Sequence, residues 1–201
     1  RKNMIRKIGN VIVRLFSALS AFASSIIIVT IYDESSLGKY AIMQTGLLIF
    51  CSFALAGLDK YILHSRVLFG VGTLFSEIAK YYRDKFLFVV VGVLSLFIYW
   101  VSSDIELNFL QIPIVFFCYV FSIASASAIK SVYDVLSGDI LWLLLRPIFL
   151  IISLYTLGSY TSFEYVYMVS YLFLVIITLL ALRYYSAKID DRLGTDSVKI
   201  A

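Results

Sequence analysis

From Tyr40 to Leu58 the chain reads YAIMQTGLLIFCSFALAGL, 19 residues without one formal charge. A helix of that length is about 30 Å long, the thickness of a bilayer's hydrocarbon core. Gly38-Lys39 precedes the run and Asp59-Lys60 follows it, so polar groups stand where lipid headgroups would be. This is the pattern of a membrane-spanning helix, and the rest of the chain repeats it.

Hydrophobic residues make up 61% of the chain and charged residues 15%, against about 45–50% and 25% in soluble domains. A core built from so many apolar residues could not be covered by so few polar ones, so apolar surface must face lipid. The expected class is an all-α, polytopic transmembrane helix bundle. The net charge of +4 does not point to nucleic acid, because the cations sit at the ends of apolar runs rather than in a basic stripe. Cys51 and Cys118 lie in two separate apolar runs without C-x-x-C spacing. They read as small core residues, with no disulfide framework, metal site or cofactor implied.

Six apolar segments are expected to span, at about 8–32, 40–58, 86–101, 109–129, 141–157 and 165–182. The first follows Arg1, Lys2, Arg6 and Lys7 like a signal peptide, but its apolar run is too long for one and reads as an uncleaved span. Between the second and third, Leu68, Val71, Phe75, Ile78 and Tyr82 recur at three- and four-residue steps. That spacing predicts an amphipathic helix over 64–85, lying on the membrane surface or extending the next span. The small-residue run Ser122 to Ala128 predicts close packing of the fourth span against a neighbour. Pro113 falls in that span's first turn, where its missing N–H does no harm, whereas Pro147 lies inside the fifth and frees a carbonyl there. Spans two and five each adjoin a basic turn, a hint of a three-plus-three repeat.

With the N-terminus placed in the cytoplasm, the outer loops hold one cation, Lys39, and nearly all other Lys and Arg residues fall on the inner side. This positive-inside bias puts both termini in the cytoplasm. Tyr32, Tyr40, Tyr61, Tyr99, Trp100, Tyr184 and Tyr185 read as interfacial aromatic belts.

Only Arg14 and Arg146 fall within spans. A charge at the bilayer centre costs roughly 2.5–3.5 kcal/mol on insertion scales, so each either snorkels to the headgroups or faces a polar cavity. In a cavity, two arginines could hold a phosphate by bidentate bonds. Asp59 ends the second span and could pair or cap locally; Arg66 follows it. His64 has no second histidine or mid-span carboxylate with which to form a relay or metal site. Nothing is arranged for nucleophilic or paired-carboxylate catalysis, so an enzyme is not expected.

Several of these residues resemble one family. An arginine early in span one (Arg14), an outer loop ending Leu37-Gly38-Lys39-Tyr40, the turn Ala56-Gly57-Leu58-Asp59 with Arg66 after it, and Leu145-Arg146-Pro147 in span five are similar to the polysaccharide flippases. These include the O-antigen flippases of the multidrug/oligosaccharidyl-lipid/polysaccharide exporter superfamily. About 30 residues carry the close likeness; the six spans match the N-terminal half of a family that has 12 to 14. The resemblance implies flipping of a lipid-linked oligosaccharide, of the undecaprenyl pyrophosphate type, across a bacterial inner membrane for polysaccharide biosynthesis. It further implies Arg14, Arg146, Asp59 and Arg66 as substrate-binding residues, and membrane lipid and a second six-helix half or copy as partners. Because the chain begins with Arg rather than Met, it reads as a fragment or a dimerising subunit.

Three other readings compete with it. A multidrug-type exporter of the same superfamily calls for acidic residues within the spans. A membrane enzyme of glycan assembly calls for long outer loops. A non-catalytic scaffold would leave both span arginines dispensable.

Overall fold

The computed structural model describes residues 2–55, 57, 62, 71–105, 107, 110–132 and 135–197. They are predominantly helical, without a strand among the described residues. In chain order come α1 (Lys2–Ile31), α2 (Glu34–Gly46), a π-helical turn (Leu47–Cys51) and α3 (Ser52–Leu55). Then follow α4 (Val71–Asp84), α5 (Phe86–Val101) and α6 (Gln111–Val132). The chain continues through α7 (Val135–Asp139), a second π-turn (Ile140–Leu144), α8 (Leu145–Leu157) and α9 (Phe163–Ser197). Four helices are long and apolar enough to cross a membrane: 8–31, 111–130, 135–157 and 163–185, or up to five if 78–84 and 86–101 are one bent span. This is the make-up of a multi-pass membrane protein.

The second helix starts before its apolar run does. The Asp33 carboxylate accepts the Ser36 N–H at 2.7 Å and Glu34 occupies the first turn. A capped, acidic N-terminus therefore begins the helix six residues before Tyr40. What reads as an outer loop is the first turn and a half of α2. The run then passes through the π-turn and α3 before Gly57, whose φ of +92° is a left-handed value that suits a helix-ending glycine.

Of the two alternatives for the amphipathic stretch, the structure shows a break: 78–84 meets 86–101 at 89°. Lys85, with φ −115° and ψ 23°, forms the corner. The third apolar helix is thus confined to the 16 residues of α5.

Two helices follow parallel courses. Along α1, Gly9 faces Leu136 and Ile31 faces Gly158. Between them, Ser17 meets Leu143 and Ser24 meets Pro147. Helix α1 and the α7–α8 segment therefore run side by side in the same direction. At the far end Tyr32 Oη donates to Thr161 O at 3.0 Å, and Lys39 Nζ lies 2.7 Å from a Glu164 carboxylate that is 3% exposed. Helix α9 returns from there: Phe173 stacks on Phe149, and Ile177 to Tyr185 reach Ser137 to Leu141.

The small-residue run packs closely. Ser122 and Ala124 to Ala128 are buried, and a Cβ on Gly138 would stand 2.6 Å from the Ala126 carbonyl oxygen. Backbones approach there as small residues in lipid allow. One belt residue is corrected. Trp100 is wholly buried, because Gly46 leaves a socket in which a Cβ would stand 2.7 Å from the indole Nε1. Burial of its large apolar face in that socket outweighs a place at the headgroups.

Candidate functional site

Pro147 sets the local geometry. It has no N–H, so the carbonyl four residues earlier, on Leu143, loses its helical donor. The second π-turn ends at Leu144, and Ser17 Oγ on α1 donates to Leu143 O at 2.7 Å. The proline-freed group is thereby satisfied from a neighbouring helix.

Arg146 is the second residue of α8, one turn beyond Trp142. Its guanidinium carbon lies 5.4 Å from the Trp142 ring centroid, a cation–π contact. Tyr171, Tyr167, Tyr119 and Tyr40 lie near enough to interact electrostatically with the guanidinium. Tyr119 meets Trp142 edge-on at 4.9 Å and Tyr171 at 6.0 Å. Tyr167 and Tyr171 lie 5.1 Å apart, four residues along one face of α9, while Tyr40 reaches Tyr167 from α2 at 6.2 Å. Gln44 Nε2 donates to Tyr171 Oη at 3.4 Å. Four helical segments thus build an aromatic cluster beside one part-buried arginine.

Among the described residues the carboxylates paired with cations are Glu164, Asp84 and Asp139, and none of them pairs with Arg146. Its charge lies over the face of the Trp142 ring. In a low-dielectric bundle such a group attracts anions more strongly than it would in water.

Trp142 and Tyr119 also wall a cavity of about 270 Å³, together with Leu48, Ser52, Ser127 and Lys130. Leu48 belongs to the first π-turn and Trp142 to the second, so both irregular turns border one space. Such turns recur at functional sites. At the cavity's other end Lys130 Nζ meets the buried Asp139 carboxylate at 2.6 Å.

Of the residues expected at a site, Arg146 lies in this cluster. Arg14 is exposed on the flank of α1, and it is not among the groups that interact with Arg146. Asp59 and Arg66, like His64, lie outside the described residues. The tyrosines were not read as a group, because they come from three distant segments. The usable signal was the four-residue spacing of Tyr167 and Tyr171, and of Trp142 and Arg146.

Compared with known proteins, the chain matches no family, no curated protein and no solved structure. The class that the architecture defines is therefore the whole of its assignment: an all-helical bundle with several membrane-length apolar helices.

Proposed function

We propose that the chain is a six-span unit, both termini cytoplasmic, that carries an anionic lipid-linked oligosaccharide across a bacterial inner membrane by alternating access. The observation that carries this reading is Arg146: a guanidinium among apolar helices, stacked on Trp142 beside a cluster of tyrosines and unpaired with any described carboxylate. A pyrophosphate-linked cargo is the ligand class that such a charge serves.

The parallel course of α1 and α7–α8 agrees with a six-span count, as it does with a four-span one, and disfavours five. Two spans of one chain run parallel when an odd number of crossings separates them. Three crossings, by the 34–55 run, by α5 and by α6, meet that condition. The antiparallel return of α9 then brings the chain back to the side from which it set out. Of the 17 Lys and Arg residues, only Lys39 falls in an outer loop and only Arg14 and Arg146 fall in spans, which favours that side as cytoplasmic. Spans two and five, equivalent members of an inverted three-plus-three arrangement, both carry a π-turn. Paired irregular helices at the substrate site are a recurring transporter device.

The test is the sidedness of lipid-linked oligosaccharide in cells. Loss of the intact protein should accumulate it on the cytoplasmic leaflet with sugar synthesis unimpaired. Arg146→Gln in the full protein should reproduce the defect, and Arg146→Lys should relieve it in part. Normal glycan export without the protein would overturn the reading.

A further inference from the structure

Arg14 stands apart from the Arg146 cluster. It is exposed on the outer flank of α1, beside apolar residues that are uncovered too. Val11 is 66% exposed, Leu15 59% and Phe22 66%. Only 17% of the apolar window of this helix is buried in the bundle, so its outer face meets hydrocarbon. An unpaired guanidinium cannot remain there without a partner, and among the described residues Arg14 has neither a hydrogen bond nor an ion pair.

Two features of its position define the partner. Arg14 lies six residues above Ile8, where the apolar segment begins, about 9 Å along the axis. Side chains on a helix lean back toward its N-terminus, so a long one at this depth can reach the headgroup layer. In sequence, Arg1, Lys2, Arg6 and Lys7 precede the apolar segment. Above Arg14 the same face carries Ala18, Ala21 and Ser25, small side chains beside the exposed Leu15 and Phe22.

We propose that this face of α1 is a binding site for an anionic phospholipid. The lipid phosphate sits on Arg14 at the boundary next to the N-terminal basic residues, and an acyl chain lies along Ala18, Ala21 and Ser25. The inference does not depend on the transport reading, since it concerns the outer surface and a bilayer component.

The full-length protein, purified in detergent, is offered phosphatidylglycerol or phosphatidylcholine, and the lipid retained is counted by native mass spectrometry. Far-UV circular dichroism checks that each variant is folded. Wild type should retain phosphatidylglycerol in preference to phosphatidylcholine. Arg14→Gln should weaken that retention about fivefold, the share of one basic side chain at an anionic surface, and Arg14→Lys should keep most of it. Ala18→Leu, which adds bulk to that strip but leaves the charge, should lower retention of both lipids. Equal retention by wild type and Arg14→Gln would overturn the proposal. So would a wild-type dimer that Arg14→Gln converts to monomer in lipid-free detergent, because the occupant would then be a second copy.

Discussion

Ser17 and Pro147 never share a bond, yet the hydroxyl of one answers the missing N–H of the other. Ser17 Oγ donates at 2.7 Å to the Leu143 carbonyl that Pro147 leaves without a helical donor. Ser17→Ala should cost about 0.5–1.5 kcal/mol, the net worth of one such bond. Replacing the proline as well should shrink that cost, because Pro147→Ala returns a donor to Leu143. Thermal unfolding of the four proteins of this cycle in one detergent measures the coupling. Equal costs of Ser17→Ala in both backgrounds would refute the pairing.

At the opposite end, Lys39 reaches the nearly buried Glu164. Lys39→Ala strands a carboxylate in the first turn of α9 and should cost roughly 1.5–3 kcal/mol. Glu164→Gln removes the charge that needs a partner and should cost less. The order of the two melting temperatures, with Lys39→Ala the lower, is the readout.

Two glycines should behave in opposite ways. Gly138→Ala drives a methyl against the Ala126 carbonyl and the Lys130 side chain and should destabilise by about 1–3 kcal/mol. Gly38, inside α2, has nothing within 4 Å of an added Cβ. Gly38→Ala should therefore be neutral or stabilise by up to about 1 kcal/mol through helix propensity. Both are read from detergent melting curves.

Asp33 supplies a pH dependence. The Ser36 backbone N–H, then the Ser36 and Ser35 hydroxyl contacts, hold its carboxyl below the usual carboxylate range. A group whose folded pKa is lowered contributes stability above its unfolded pKa and loses it as pH falls through the folded one. Amide-exchange protection in the first turn of α2 should accordingly drop as pH is lowered through and below about 4. In Asp33→Asn, which caps without titrating, that drop should be absent.

The apolar runs at 8–31, 111–130, 135–157 and 163–185 were legible from hydropathy, and each forms a helix long enough to cross a membrane; the 40–58 run is not among the membrane-length helices of the described residues. The start of α2 at Asp33 was missed because hydropathy marks where lipid begins, whereas capping marks where the helix begins. The corner at Lys85 was left open between two alternatives, since an amphipathic pattern is the same whether a helix bends away from the next or continues it. The π-turns at 47–51 and 140–144 have no periodicity of their own. They differ from an α-helix by one residue of register and become visible only when partners such as Ser17 are in place. Arg146 was legible as a lone charge in an apolar run. Its tyrosine cluster was not, because Tyr40, Tyr119 and Tyr167 are brought together by packing between segments that share no local pattern.

The parallel course of α1 beside α8 has a consequence for how the protein is made. The hydroxyl of Ser17 and the carbonyl it serves are 126 residues apart in the chain. At a synthesis rate of about 5–20 residues per second, α1 enters the bilayer roughly 6–25 seconds before its partner leaves the ribosome. For that interval its serine-bearing stripe has no protein to face. The membrane-insertion machinery, or lipid, must shelter that stripe until the fifth apolar segment arrives, so faults in either helix should surface first as failures of biogenesis.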